Sequence, residues 1–190
     1  MKKKIIGIAG KANAGKTTAA EFIADKYDFR RVAFADPLKK GLAEFTGLPL
    51  QMFYDQDIKE IDIPEYNNKS LRYMMQFVGT ECFRNNFGSD FWVNRMLLEI
   101  ESLNKEGVDN IVIDDIRFQE EAEMVKELGG DVIFITRPDE NALRSSHRSE
   151  ALAVGYDHHI DNDGDLEKLF SNVDFLVTGI FAMMKKRGSI

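Results

Sequence analysis

The sequence predicts an α/β fold in which a parallel sheet of about five strands is flanked by helices. Three observations carry this prediction. Apolar segments without polar alternation recur along the chain, as expected for strands that are buried on both faces. Segments with helical spacing of apolar residues separate them. A glycine-rich loop joins the first predicted strand to the first predicted helix.

The first predicted elements are the most regular. Residues Lys4–Ala9 form a β-branched apolar run that predicts a buried strand. Residues Lys16–Tyr27 place Ala19, Ala20, Ile23 and Tyr27 on one helical face. A short strand is expected over 31–35.

A second helix is expected to follow this strand. Asp36 is expected to cap the helix, Pro37 to occupy its first position, and Gly47 to lie near its end.

The middle of the chain predicts a helical region after an irregular connection. Residues 48–69 are polar and interrupted by proline, so we expect a connecting segment with little regular structure. An apolar helical face follows, and a second helix is expected over 90–103. The residues of that face are Leu71, Met74, Met75, Val78 and Cys82.

The second half returns to strand–helix alternation. Strands are expected over 110–114, 131–136 and 158–161, and helices over 118–128 and 165–177. Residues 137–155 are polar and basic, and the lysine-rich tail is expected to fray. We see no repeat and no linker, so the prediction is a single domain over residues 1–190.

Composition excludes several classes of function. The net charge of −7 argues against broad binding to duplex DNA or to anionic membranes. No apolar run approaches the roughly 20 residues that a membrane span needs. Cys82 is the only cysteine, so an internal disulfide is impossible and a reducing compartment fits best. We therefore expect a soluble cytoplasmic protein.

The loop after the first strand matches the phosphate-binding pattern G-x-x-x-x-G-K-[ST] at every fixed position. Its glycines let main-chain N–H groups point at phosphate oxygens, and the following helix adds its positive end. Lys16 would reach the β- and γ-phosphates, and the Thr17 hydroxyl would ligate Mg²⁺. The ATP-binding residues predicted in this loop are Gly10, Asn13, Ala14, Gly15, Lys16, Thr17 and Thr18.

Asp114 and Asp115 lie at the end of the strongly apolar strand that is expected over 110–114. Asp115 is the expected second magnesium ligand with Thr17, directly or through water, since such strand ends often hold the metal in P-loop enzymes. Arg117 nearby would add an anion contact. Alternatively, Asp114 and Asp115 only cap the strand or the next helix.

A polar helical stripe borders the apolar face of the middle region. Its members, which would line a cleft wall, are Arg72, Gln76, Gly79, Thr80 and Phe83. Arginine can grip a phosphate bidentately and glutamine can read a base edge. A solvated helix face is the alternative.

Four blocks of the sequence resemble the phage-type deoxynucleoside monophosphate kinases. They are GKANAGKTTAAEFIA, SLRYMMQFVGTECFRNNFGSDFWV, IDDIRFQEEAEMV, and ITRPDE…HRSEA followed by IDNDGDLEKLF. The second block is the most specific, because many unrelated kinases share the P-loop. The resemblance implies a P-loop NTPase fold of the nucleoside monophosphate kinase type, with an acceptor-binding region at about 36–105 and a lid at about 137–155.

The resemblance also implies roles for individual residues. Arg137 would begin the lid and bind ATP, and it would share the catalytic role with Lys16. Asn162 follows the last strand, where this fold usually passes the adenine. The implied substrate-binding residues are Lys11, Asp36, Leu38, Lys39, Arg72, Gln76, Gly79, Thr80, Trp92, Asp115, Arg117 and Glu121. The roles of Arg144, His147, Arg148 and Glu150 are left open.

The activity implied is transfer of the γ-phosphate of ATP, with Mg²⁺, to a deoxynucleoside 5′-monophosphate. No general base is needed, because the acceptor phosphate is already anionic near neutral pH. The alternatives are a P-loop kinase for dephospho-coenzyme A or a sugar acid, and a non-enzymatic ATP-dependent switch. Neither nucleic acid nor membrane is expected as a partner, and the resemblance makes a homodimer plausible.

Overall fold

The computed structural model describes residues 3–138 and 154–186. Its strands are β1 Lys4–Ala9, β2 Arg30–Val32, β3 Asp62–Ile63, β4 Lys69–Ser70, β5 Asn110–Ile116, β6 Asp131–Thr136 and β7 His158–Asp161. Its α-helices are α1 Lys16–Tyr27, α2 Asp36–Thr46, α3 Leu71–Gln76, α4 Asn85–Phe87, α5 Phe91–Lys105, α6 Gln119–Glu127 and α7 Leu166–Lys186. A π-helix covers Phe77–Arg84, and 3₁₀ helices cover Leu50–Phe53, Ile58–Glu60 and Pro64–Tyr66.

The main sheet has five strands in the order β2-β5-β1-β6-β7. Every neighbouring pair is parallel, so the predicted parallel α/β sheet is confirmed. The central strand β1 pairs with β5 on one side, from Lys4 opposite Asn110, and with β6 on the other, from Ile6 opposite Asp131. The strand order reverses at β1, because β2 and β5 lie on one side of it and β6 and β7 on the other. In open parallel sheets, ligands bind at the carboxyl ends of the strands where the order reverses.

Both faces of the sheet are covered, which explains the non-alternating strands. One face packs against α1 and α7, and its core includes Ile8, Ile23 and Val177, each fully buried. On the other face, a Cβ at Gly7 would lie 2.3 Å from Ile116 Cδ1 and 3.2 Å from Val125 on α6. A side chain at this point of β1 would therefore require both Ile116 and Val125 to shift.

The chain divides into two compact units. The sheet unit comprises Met1–Ala33 and Met96–Ile190, and the helical unit comprises Phe34–Arg95. The helical unit has its own core, built on buried Leu42, Phe53 and Leu71. The helical unit overlaps the region of about 36–105 in which the sequence places acceptor binding, and that assignment stays a prediction.

Most predicted elements occur where expected, with a few corrections. The second strand ends at Val32, opposite Ile113, because the chain then turns toward α2. Asp36 does not cap α2 but is its first residue, after Ala35. The last helix continues past the expected end at residue 177 to Lys186.

The connecting segment, residues 48–69, is more regular than expected. It contains three 3₁₀ helices and the first strand of the antiparallel β3–β4 hairpin. Phe53 is fully buried, and the Tyr66 hydroxyl donates to the Thr46 carbonyl at 2.5 Å. These tertiary contacts give the segment structure that its polar composition does not predict.

Within the described ranges, no helix combines the length and apolar character that a membrane crossing would require.

Candidate functional site

The loop between β1 and α1 adopts the backbone geometry that its glycines permit. Gly10 has φ 147°, Asn13 φ 60° and Gly15 φ 97°. A Cβ at Gly10 would lie 2.3 Å from the Ile135 carbonyl oxygen, so only glycine fits beside β6. The loop thus runs close to the carboxyl ends of the central strands.

Lys16 is the first residue of α1 and folds back over the loop. Its Nζ donates to the Lys11 carbonyl at 2.7 Å, and the Ala14 N–H donates to the same carbonyl at 3.3 Å. Gly15 precedes the helix without a side-chain cap. The positive end of α1 therefore adjoins a lysine ammonium, which is an arrangement that attracts anions.

Asn162, which follows β7, also contacts the phosphate-binding loop. Its side chain is buried, and Nδ2 donates to the Ala14 carbonyl at 3.0 Å. A Cβ at Gly15 would lie only 2.7 Å from that nitrogen. The sequence left Asn162 open as an adenine contact, whereas the structure places it against the phosphate-binding loop.

Asp114 meets the loop from β5 and is almost fully buried, with 2% of its surface exposed. Its Oδ2 accepts hydrogen bonds from the Thr17 hydroxyl at 2.9 Å and from Arg31 Nε at 2.8 Å, and Arg31 Nη2 lies 2.7 Å away. Its Oδ1 is buried and has no hydrogen-bond partner among the described residues. Oδ2 thus accepts hydrogen bonds from two residues, whereas Oδ1 is available to a ligand.

A β-bulge explains why Asp114 takes this position. Gly7 pairs with Ile113 and Ala9 with Ile116, so β5 contains one more residue than β1 across the two aspartates. Bulges re-aim side chains, and they are common next to active sites. In such a bulge, neighbouring side chains do not simply point to opposite faces of the sheet in turn, as they do in a regular strand.

The residues present fit Mg²⁺. This ion takes oxygen ligands, usually one or two from the protein beside the phosphates of a substrate. The Thr17 hydroxyl and the unpartnered Oδ1 of Asp114 offer such oxygens. Asp115, the expected ligand, is the half-buried neighbour of Asp114, and its metal role stays a prediction.

Glu121 has a structural task that the sequence analysis did not assign. It is buried, and its Oε2 accepts from the main-chain N–H groups of Arg117 at 2.8 Å and Phe118 at 3.1 Å. This caps the start of α6 and fixes the turn that carries Arg117. A glutamate three residues after the N-cap is the signal that could have found it.

The helical unit groups Asp36 and Lys39 of α2 with Tyr54. The Tyr54 hydroxyl donates to Asp36 Oδ1 at 2.8 Å. Lys39 Nζ lies 3.9 Å from the centroid of the Tyr54 ring and 4.0 Å from Asp36 Oδ1. Two predicted substrate-binding residues therefore share one aromatic neighbour, which the sequence analysis missed.

Arg72 is ion-paired through its Nε with Glu60, a residue of the connecting segment. About a quarter of its side chain is exposed. Glu60 is the acidic residue that ends a 3₁₀ helix. The sequence analysis did not foresee this pair, because the two residues belong to different elements.

The predicted stripe from Arg72 to Phe83 needs a correction. It assumed α-helical spacing, but the π-helix begins at Phe77, and its wider turns change which residues share a face. Gly79 and Thr80 are buried, and a Cβ at Gly79 would lie 2.9 Å from Leu38 Cδ2. Gly79 therefore lies against Leu38 of α2, and Thr80 is buried beside it in the sequence.

Trp92 is held within the helical unit. Its indole N–H donates to the Gly79 carbonyl at 2.8 Å. Its ring meets Phe83 and Phe91 edge to face, with centroids 5.5 and 5.0 Å away. The indole thus supports the π-helix, and its expected contact with a sugar stays a prediction.

Part of the expected lid lies outside the described residues. That part includes Arg144, His147, Arg148 and Glu150. Arg137 directly follows β6 and is exposed. Its expected roles in ATP binding and catalysis stay predictions.

Comparison with known proteins gives a family-level match. The family model described as Deoxynucleotide monophosphate kinase matches residues 47–173. A curated relative from Acanthamoeba polyphaga mimivirus, which carries a deoxynucleotide monophosphate kinase name, is 33% identical over 89% of this chain and 93% of its own. The Deoxynucleotide monophosphate kinase of Enterobacteria phage T4 is 25% identical over 90% of this chain and 97% of its own.

Solved structures share the fold at low sequence identity. TT1252 from Thermus thermophilus is 17% identical with a TM-score of 0.53, covering 95% of this chain and 99% of its own. A sugar kinase from Janibacter sp. HTCC2649 is 12% identical with a TM-score of 0.51, covering 94% and 95%. The Dephospho-CoA kinase from Campylobacter jejuni is 17% identical with a TM-score of 0.50, covering 98% and 100%.

Proposed function

The chain belongs to the deoxynucleotide monophosphate kinase family, and from this we infer that it transfers the γ-phosphate of ATP to a deoxynucleoside 5′-monophosphate. The products are the deoxynucleoside diphosphate and ADP. The observation that carries the chemistry is the phosphate-binding loop, with Thr17 hydrogen-bonded to the buried Asp114. The nearest alternatives, kinases for dephospho-coenzyme A or a sugar acid, rest only on a fold that many P-loop kinases share.

The sheet unit is proposed to bind ATP through the loop from Gly10 to Thr17. Main-chain N–H groups and the N-terminus of α1 would hold the phosphates, and Asn162 would keep the Ala14 carbonyl turned away from them. The Lys16 ammonium now donates to a neutral carbonyl. A phosphate oxygen is the stronger, charge-assisted acceptor, so Lys16 would move to the nucleotide when it binds.

Thr17 and Asp114 are proposed to hold Mg²⁺, with Asp115 as the further ligand expected from the sequence. When bound, the ion neutralises negative charge on the phosphate oxygens of the nucleotide. Arg31 would keep Oδ2 of Asp114 engaged, which leaves Oδ1 as the oxygen offered to the ion. Thr17 would turn its lone pair to the ion while still donating to Asp114.

The helical unit is proposed to bind the monophosphate. Lys39 and Arg72 supply positive charge, and Arg72 can grip a phosphate through two parallel hydrogen bonds. Within this unit, Leu38, Gln76, Gly79, Thr80 and Trp92 complete the proposed pocket for base and sugar, and Asp36 is a further proposed contact. The substrate contacts expected from the sequence in the sheet unit, which stay predictions, are Lys11, Asp115, Arg117 and Glu121. Phosphoryl transfer needs mainly positioning and charge stabilisation, so no catalytic base is proposed.

The test is an ADP-release assay with ATP and Mg²⁺ across all deoxy- and ribonucleoside monophosphates, with dephospho-coenzyme A and the sugar acid gluconate as competing acceptors. At least one deoxynucleoside monophosphate should stimulate ADP release far above the rate without acceptor. The Lys16→Ala variant, run in parallel, controls for contaminating kinases. Stimulation by dephospho-coenzyme A or gluconate alone would overturn the proposal.

A further inference from the structure

We propose that the connecting segment, residues 48–69, is a positioning element for the cations that bind the acceptor. Tyr54 would hold Lys39, and Glu60 would hold Arg72. The inference rests on the proposed function, because Lys39 and Arg72 take their acceptor role from it. It adds Tyr54 and Glu60, to which the sequence analysis assigned no task.

The segment is anchored well enough to position side chains. Phe53 is fully buried in the core of the helical unit with Leu42 and Leu71. The Tyr66 hydroxyl bonds to the carbonyl of Thr46, at the end of α2. Tyr54 directly follows the buried Phe53, so the position of the Tyr54 ring is fixed by this anchor.

Tyr54 acts on Lys39 in two ways. Its ring presents a π-face to the ammonium, 3.9 Å from the centroid, and this attraction restricts a side chain that otherwise rotates about four bonds. Its hydroxyl donates to Asp36, which fixes the ring and places the carboxylate near the same ammonium. The lysine is thus held before any acceptor arrives, and pre-organisation lowers the entropy that binding would otherwise cost.

Glu60 acts on Arg72 by fixing the plane of its guanidinium. The contact is through Nε, the nitrogen nearest the chain. The guanidinium is planar, so a partner at Nε orients the two terminal nitrogens as well. These nitrogens are the pair that can grip a phosphate bidentately.

The first experiment compares Tyr54→Phe, Tyr54→Leu and Tyr73→Leu. Tyr73 is the matched control, because Lys69 Nζ lies 4.6 Å from its ring centroid and neither residue is among the proposed acceptor contacts. Tyr54→Leu should raise the KM for the best deoxynucleoside monophosphate by roughly 3- to 30-fold, with an unchanged KM for ATP. Tyr54→Phe, which keeps the ring, should show a smaller rise, and Tyr73→Leu none.

The second experiment compares Glu60→Gln, Glu60→Asp and Glu65→Gln, the last an exposed glutamate of the same segment. Glu60→Gln should raise the KM for the monophosphate several-fold without changing the KM for ATP. Glu60→Asp should restore part of the loss, and Glu65→Gln should behave as wild type. Calorimetric titration of the monophosphate alone should reproduce the ranking as binding affinities.

The outcomes separate this inference from the proposed function. If the wild type phosphorylates no deoxynucleoside monophosphate, the proposed function fails. If it does, but Tyr54→Leu and Glu60→Gln keep a wild-type KM for the monophosphate, only the positioning inference fails. A lower KM in Glu60→Gln would show that Glu60 competes with the acceptor, and this also overturns the inference. Thermal unfolding of each variant shows whether a raised KM reflects misfolding.

Discussion

At the scale of single residues, Asp114 is the least exposed of the buried polar residues in the described part of the chain. It is 2% exposed, and Thr17 and Arg31 both donate to one of its oxygens. A carboxylate in this position is stable only while a positive partner offsets the loss of hydration. Arg31 therefore supports both the fold and the proposed metal site.

The Arg31→Ala variant should lose stability because it leaves the Asp114 charge buried without its partner. Breaking a fully buried pair costs about 3–5 kcal/mol, and we expect about 1–3 kcal/mol here because 30% of the Arg31 side chain is exposed. Urea unfolding measures the difference. The double variant Arg31→Ala/Asp114→Asn should recover part of it, and a wild-type stability for Arg31→Ala would contradict the argument.

The Lys16→Ala variant should nearly abolish phosphoryl transfer while keeping the fold. Lys16 is half-buried at the start of α1, and its ammonium donates to the loop carbonyl of Lys11, so we expect the variant to fold. Losing one charge-stabilising group typically costs on the order of 100-fold or more in rate. Near-normal turnover in a folded variant would refute the role of this loop.

At the scale of elements, the π-helix Phe77–Arg84 is the least ordinary feature. π-helices are rare, and most occur as single turns near functional sites. This one spans eight residues, and the Trp92 indole donates to one of its carbonyls at Gly79. The hydrogen bond from the Trp92 indole and the close contact of Gly79 with Leu38 both fix the position of the π-helix at Gly79 and Thr80.

The wild type should prefer deoxy over ribo monophosphates of the same base. An apolar wall near the sugar would leave a 2′-hydroxyl without a hydrogen-bond partner, at a cost of about 1–3 kcal/mol or roughly 5- to 150-fold in kcat/KM. Paired kcat/KM measurements test this, and equal efficiencies would refute it. Trp92→Phe removes the bond to Gly79, so a preference that survives unchanged in it would exclude Trp92 as the cause.

The helices α1 and α7 are joined by a charged network on the sheet unit. The Asp174 carboxylate accepts from the Tyr27 hydroxyl at 2.6 Å and is ion-paired with Lys26. The hydrogen bond from Lys26, and next that from Tyr27, lower the pKa of Asp174. The hydrogen bond to Asp174 in turn raises the pKa of Lys26 above 10.5.

The Asp174→Asn variant should therefore be less stable than wild type by an amount that depends on pH. A lowered pKa means that Asp174 contributes stability above about pH 3.9 and loses it as the pH falls through its folded value. The raised pKa of Lys26 means that its contribution is lost only as the pH rises through that higher value. Thermal midpoints of both proteins should be measured from pH 3 to pH 11. The difference between wild type and Asp174→Asn should be constant at intermediate pH and should become smaller at both ends of this range. A difference that is constant down to pH 3 would contradict this.

At the scale of the whole molecule, the proposed substrates divide between the two units. Arg72 belongs to the helical unit and Lys16 to the sheet unit. We expect Arg72→Ala to raise the KM for the monophosphate or lower kcat while leaving ATP affinity nearly unchanged, because its charge serves the acceptor. Calorimetry with each substrate alone measures both affinities. Loss of ATP binding with intact acceptor binding would assign Arg72 to the other substrate.

The sequence predicts the parts of the fold that local signals determine. The bounds of β1, α1, β6 and β7 agree with the structure, because apolar runs and glycine turns are short-range features. The π-helix and the bulge at Asp114 depend on tertiary contacts, so α-helical and strand periodicity fail there. Arg31, Tyr54 and Glu60 were missed for the same reason, since each meets its partner only in the folded chain. The expected homodimer stays a prediction.

The place of β1 at the centre of the sheet has a consequence for how the chain is made. Lys4 pairs with Asn110 and Ile6 with Asp131, so β1 is synthesised long before both of the strands that pair with it. Translation adds about 5–20 residues per second, so β1 spends several seconds with two open edges. Contacts of such long sequence separation also slow folding, because the loop must close before they form. During synthesis, this apolar strand is therefore open to non-native pairing until both β5 and β6 have been made.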